Sequence, residues 1–306
     1  MAKTTRLVVG FVFLFLFGFK SNSQKLNDFL TPSDSLNKER RNLVMMAQGS
    51  LYAGALISLN QLWYKDYPKS SFQFLNDNDH WLQIDKAGHV YSTYHLSKLG
   101  FDAMKWSGVS DRSALYWGVG TSLVFMTTIE LMDAHSAQWG FSWGDMVANL
   151  SGGALFALQE VGWGEQRIKP KFSFHTTPYA ALRPDTLGSS IGEQIFKDYN
   201  GQTYWLSVNP HSFIKNDSFP KWLNVALGYG ATGMITARDE LVNSVFFPES
   251  KRVRQFYLSL DVDLEKIPTN SPFLKTIFSL VNVVKIPAPT FEIRGNGQAK
   301  FHWIYF

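Results

Sequence analysis

The sequence predicts an α+β protein in two parts. An apolar helical bundle of about four helices spans residues 41–164, and an antiparallel β-rich region, possible as a barrel, spans 165–306. Two changes of pattern predict this. Up to Gly164 apolar residues recur at helical spacing in charge-poor runs. Beyond it the spacing drops to two, most plainly from Gln255 to Leu264, where Phe256, Leu258, Leu260 and Val262 alternate with Tyr257, Ser259, Asp261 and Asp263. The helical runs are also joined by short loops, which make antiparallel neighbours and hence a bundle.

The elements follow in order. Lys3 and Arg6 precede an apolar run from Leu7 to Phe19, with Ser21 and Ser23 as the small residues of a cleavage site, so residues 1–23 read as a secretory signal and the mature chain starts near Gln24. Residues 24–40 read as a polar linker containing Pro32. Asn42 to Tyr64 carries no charge and is long enough to span a bilayer, yet Gln48, Ser50, Ser58, Asn60 and Gln61 suit a buried bundle helix equally. Asp85 to Trp106 forms a second helix, stopped by Ser107-Gly108. Ser110-Asp111 caps a third, which ends near His135. Ser142-Trp143-Gly144-Asp145 has the form of a capping box and opens a fourth, through Asn149 to Gln159. Three of these helices are apolar enough to raise inner-membrane residence as an alternative. Gly152-Gly153 suits close helix packing, and Trp139, Trp143 and Trp163 read as caps on the bundle.

Strands are expected around Lys171 to Thr176, Thr203 to Val208, Trp222 to Thr232, Gln255 to Leu264 and Phe301 to Phe306. Pro272 to Ile286 reads as an apolar helix that covers a sheet or lies on a membrane. The last strand ends on Trp303, Tyr305 and Phe306, in the manner of outer-membrane barrels.

Composition excludes several classes. No cysteine occurs, so there is no disulfide, no zinc–thiolate site and no acylatable thiol, and membrane attachment falls to the polypeptide itself. The net charge of +4 is scattered, which argues against a nucleic-acid partner. An aromatic share of 15% suits a dense core or a membrane interface. No nucleophile elbow, phosphate loop or His-Glu-x-x-His helix is present.

The chemistry-bearing residues are Asp85, Lys86 and His89, followed by Glu130, Asp145 and Asn149, with Asp133 in the same stretch. Asp85/His89 and Asp145/Asn149 are each four residues apart, one turn on one helix face. Glu130 closes an otherwise uncharged helix and needs a partner, which Lys86 or His89 supplies. One reading gathers Asp85, His89, Glu130 and Asp145 into a polar pocket that binds a divalent metal or moves protons, with Asn149 bracing it. The competing reading makes Asp85 an N-cap, Asp145 a capping-box partner, and Glu130 half of a buried ion pair.

The span from Asp85-Lys86-x-x-His89 through Thr128-Ile129-Glu130 to Trp139-Gly140-Phe141-Ser142-Trp143-Gly144-Asp145-Met146-x-x-Asn149-x-x-Gly152 resembles the YfiM-like uncharacterised family of predicted periplasmic or outer-membrane (lipo)proteins, and more distantly the VanZ-like membrane proteins. Lys197 to Trp205 and Phe301 to Phe306 also look like long envelope members of that family. The resemblance marks Asp85, His89, Glu130, Asp145 and Asn149 and implies an exported protein of the periplasm or outer membrane of a Gram-negative-type envelope. This chain departs from it in lacking a lipobox cysteine. The first functional expectation is a non-catalytic envelope component with a scaffolding or assembly role, without cofactor, whose partners are the outer membrane or envelope proteins. The alternative is an envelope lipid- or glycan-directed enzyme, or a metal-binding protein, using the buried cluster.

Overall fold

A computed structural model describes residues 23–65, 67–214, 219–238, 241–242, 245–246 and 252–306. The signal-like segment up to residue 22 lies outside the described residues. The stretch read as a polar linker carries a short helix, α1 (Ser23–Leu30).

Four long helices follow: α2 (Lys38–Leu59), α3 (Ile84–Trp106), α4 (Asp111–Ala134) and α5 (Trp143–Trp163). Local chemistry sets their ends. Asn37 accepts from the Arg40 N–H at the start of α2, Ser142 accepts from the Asp145 N–H at the start of α5, and left-handed Gly164 closes α5. The close packing expected of Gly152 is present: a Cβ there would lie 2.3 Å from the Val90 carbonyl oxygen, so α3 and α5 approach to backbone contact. By length and composition, one helix among the described residues, Lys38–Tyr64, is apolar enough to cross a membrane, rather than three.

The second half holds short helices α6 (Tyr179–Leu182), α7 (Pro184–Leu187), α8 (Ile191–Lys197), α9 (Pro210–Ile214) and the amphipathic α10 (Pro272–Val281), which stops short of the expected Ile286. Its strands are β1 (Ile168–Phe174), β2 (Gln202–Val208), β3 (Leu223–Thr232), β4 (Leu241–Val242), β5 (Val245–Phe246), β6 (Val253–Val262), β7 (Ala288–Arg294) and β8 (Ala299–Tyr305). Six of them form one antiparallel sheet in the order β1-β2-β3-β6-β7-β8. The sheet is open: among the described residues no ladder joins β1 to β8, which corrects the barrel expectation. Backbone bonds to Val283 and Lys285 satisfy the free edge of β1 instead, at 3.0 and 2.9 Å.

The sheet is also inverted. Along β6, Gln255, Tyr257, Ser259 and Asp261 are buried, while Phe256, Leu258 and Leu260 are 49, 51 and 48% exposed. Thr290 and Glu292 of β7 are buried between exposed Phe291 and Ile293. The inner face is polar and cross-linked: Lys171 pairs with Asp261 at 2.8 Å, and Ser207 donates to Asp261 at 2.6 Å. Tyr305 of β8 reaches Tyr257 at 2.8 Å between hydroxyls and touches Trp205 of β2, so the sheet is strongly coiled about this interior.

Helix α3 lies over β1, β2 and β3. Tyr91 donates to the Val283 carbonyl at 3.3 Å, and His95 contacts the Pro170 carbonyl at 2.8 Å. Glu265 bridges Lys98 of α3, at 2.9 Å, and Lys169 of β1, at 2.5 Å.

Candidate functional site

All four long helices present the same end to the site: the close of α2 and α4 and the start of α3 and α5. Helix α2 finishes in a π-helical turn, Asn60–Tyr64, a local widening that occurs often at functional sites. That turn brings the Tyr64 hydroxyl to Asp133 at 2.7 Å. Helix α3 is entered through three consecutive non-glycine residues at positive φ, Trp81 (48°), Leu82 (50°) and Gln83 (65°), a conformation that costs about 1–2 kcal/mol per residue. Tertiary bonds hold this turn: Trp81 N–H donates to Ala237 O at 3.0 Å, Tyr229 donates to Leu82 O, and Arg254 donates to the Gln83 side chain at 2.9 Å. Two residues further on, α3 delivers Asp85 and Lys86.

The six residues singled out by spacing converge. Lys86 Nζ lies 3.2 Å from Asp85, 3.0 Å from Asp145 and 2.7 Å from Asp77. His89 Nδ1 is 3.0 Å from Asn149 Oδ1 and 3.6 Å from Glu130 Oε1, and its Nε2 is 3.9 Å from Asp145 Oδ1. One ligand atom each from Asp85, His89 and Asp145 falls within 4.8 Å of the other two. Glu130 and Asn149 are fully buried behind the imidazole, and Glu130 Oε1 has no hydrogen-bond partner.

The capping box is only half formed. Ser142 Oγ accepts from the Asp145 N–H at 3.1 Å, but the Ser142 N–H donates to Glu130 Oε2 at 3.3 Å rather than to Asp145. Because Glu130 of α4 supplies that second bond, the Asp145 carboxylate is free to face Lys86 and His89. Ser142 also donates to Asp77 at 2.5 Å.

Burial and crowding set the charges. Burial pushes the Glu130 carboxyl up to about 8, against the pull of His89. Burial likewise raises Asp133 to about 7 and Asp145 to about 6. Burial alone would depress the His89 imidazole, but Asp145, Asp85 and Glu130 outweigh it and raise it. With its proton on Nδ1 facing Asn149 Oδ1, neutral His89 presents the Nε2 lone pair toward Asp145, the tautomer that binds a cation.

Asp85, His89, Asp133 and Asp145 floor a cavity of about 770 Å³. Its walls include residues that the sequence reading did not single out. Asp77, His80 and Trp81 come from the turn before α3, and Trp63, Tyr64 and Trp139 from the helix ends. Arg183, Lys197 and Arg238 come from the second half of the chain. His80 contacts Arg238 Nε at 2.6 Å, and His302 pairs with Glu292 at 2.7 Å across the last hairpin. Of the three tryptophans read as caps, Trp139 lines the cavity, whereas Trp143 and Trp163, at the two ends of α5, are 67 and 43% exposed. Asp133 had a signal, one helical turn after Glu130. Of the three distant cations, Lys197 opens the Lys197 to Trp205 block of the resemblance, and Arg183 and Arg238 had no signal beyond their charge.

The helical domain thus carries a charged cavity at one end and is set on an inverted sheet. Residues 73–161 match the model of a family described as "Predicted periplasmic lipoprotein (DUF2279)", in accord with an exported chain in the periplasm or outer membrane. That match spans the cavity floor from Asp77 to Asn149. No curated protein and no solved structure matches the chain.

Proposed function

We propose that this envelope protein holds a divalent cation at Asp85, His89 and Asp145 and presents it to a ligand in the cavity. One observation carries the reading: ligand atoms from two helices lie within 4.8 Å of one another at the base of an open cavity. An imidazole with two carboxylates suits zinc, manganese or iron. Glu130 and Asn149 then act as positioning residues that fix the His89 tautomer. In the ion-free protein Lys86 is the counter-ion of Asp85 and Asp145, and on cation binding its ammonium retains Asp77, already its nearest partner at 2.7 Å. His89, with Asp133 and Glu130 nearby, gives the same cavity the groups for proton transfer, so a metal-assisted reaction on an envelope lipid or glycan is the activity that this floor favours. The scaffolding role requires no such cavity, and the inner-membrane alternative has less to recommend it than an outer-membrane seat for the inverted sheet.

Calorimetric titration of the full chain with Mn²⁺ and Zn²⁺ tests the reading. It predicts one cation per chain, with affinity lowered at least about tenfold by His89→Gln and by Asp145→Asn while the thermal midpoint stays near wild type. Absence of a stoichiometric site overturns the metal reading. If both variants unfold and wild type binds nothing, the cluster is a structural ion-pair network.

A further inference from the structure

The cavity is bipolar. Its floor is acidic, from Asp77, Asp85, Asp133 and Asp145, whereas the wall contributed by the second half of the chain carries Arg183, Lys197 and Arg238, with Asp185 beside them. None of these three cations is paired with a carboxylate among the described residues. Arg183 donates to the Ile235 carbonyl at 3.1 Å, Arg238 to the His80 ring at 2.6 Å, and Lys197 sits 5.4 Å from the centre of the Trp63 ring. Each therefore keeps donors for a ligand. Two guanidinium groups and an ammonium around one cavity are the donor set of a phosphate site.

The surroundings of the cavity add a second feature. An aromatic cluster stands at this end of the bundle: Phe72, Phe74, Phe141 and Trp143 contact one another, Trp63 meets Phe196, and Tyr67 meets Trp139. Phe74, Trp143 and Phe196 are 63, 67 and 58% exposed. From there an apolar stripe runs along α5 through exposed Val147, Leu150, Leu158 and Val161, and another along α4 through Tyr116, Val124 and Leu131. Aromatic side chains at the edge of an apolar surface are the arrangement that proteins use at a bilayer interface.

We infer that the cavity takes the phosphate-bearing headgroup of an anionic lipid, the phosphate held by Arg183, Lys197 and Arg238 and the acyl chains leaving past the aromatic cluster along the apolar stripes. The inference rests on the cavity being the ligand site proposed above and adds the ligand class. It does not depend on which cation occupies the floor. A soluble phosphate shares the headgroup chemistry but has no use for the aromatic cluster, and that difference separates the two sources.

Titration of the full-length protein, with Mn²⁺ present and absent, against dihexanoyl phosphatidic acid, dihexanoyl phosphatidylcholine and glycerol 3-phosphate decides it. The expected result is binding of the short-chain phosphatidic acid at least tenfold tighter than either of the others. Lys197→Gln and Arg183→Gln should each weaken it about tenfold, with unchanged circular dichroism. Lys197→Gln is the safer variant because it removes an ammonium set against the Trp63 ring, whereas Arg183→Gln also removes a hydrogen bond to the Ile235 carbonyl. Equal affinity for glycerol 3-phosphate overturns the lipid source and leaves a phosphate site. Equal affinity for phosphatidylcholine, or no effect of Lys197→Gln, overturns the cationic wall as the recognition element. If no phosphate compound binds while Mn²⁺ does, this inference fails and the metal reading survives; if neither binds, both fail.

Discussion

Ser142 shows how one side chain sets the chemistry of its neighbours. Its hydroxyl caps α5 and also holds Asp77 at 2.5 Å, while its N–H is taken by Glu130 rather than Asp145. Ser142→Ala should therefore cost about 1–2 kcal/mol in urea unfolding, near the top of the range for a lost N-cap because a buried carboxylate loses a donor as well. Residue spacing made part of this legible. The four-residue separations of Asp85/His89 and Asp145/Asn149 placed each pair on one face, and the charge-poor run before Glu130 signalled a buried acid in need of a partner. Arg183 and Arg238 were not legible, and Lys197 was marked only as the start of a family-like block, because each comes from a short helix or loop with no periodicity and only the fold brings them to the cavity.

Glu265 is the bridge at the scale of elements. It joins Lys98 of α3 to Lys169 of β1, so bundle and sheet share one carboxylate. Burial would raise that carboxyl, but Lys169 and Lys98 outweigh it and hold it well below its ordinary value of 4.5. A depressed carboxylate contributes stability that is complete above its unfolded value and is lost as pH falls through the folded one. Glu265→Gln should thus cost about 2–4 kcal/mol at pH 7, discounted for partial exposure, with the difference from wild type shrinking as pH drops below 4.5. Close packing of α3 on α5 gives a second expectation. Gly152→Ala sets a Cβ 2.3 Å from Val90 O and should lower stability by about 1–3 kcal/mol, measured by thermal unfolding. The helices were readable because caps and glycine stops punctuate them. Strand β7 was not, since Pro287 and Pro289 hide it; Pro289 is tolerated because the pairing with β8 is irregular between Ala288 and Thr290.

For the whole molecule, the inverted sheet leaves an apolar face turned outward. A period of two announces two unlike faces but does not say which one is buried; here the polar face is inside and the apolar face outside. Exposed Phe256, Leu258 and Leu260 on β6, with Phe291 and Ile293 beside them on β7, make an apolar face on the sheet. A bilayer surface is the occupant that suits such a surface in an envelope protein. Sedimentation with phospholipid vesicles should pull down the wild type, and Phe256→Ser with Leu258→Ser and Leu260→Ser should leave it in the supernatant with its thermal midpoint within a few degrees of wild type. Recovery of wild type wholly in the supernatant removes the membrane seat.

The proposed cation site joins two helices, α3 and α5, around His89. Electron spin echo spectroscopy of Mn²⁺ added to the full chain tests it most directly. The account predicts modulation from one imidazole nitrogen in wild type and its loss in His89→Gln. A spectrum of free aqueous Mn²⁺, or nitrogen modulation that persists in that variant, contradicts it.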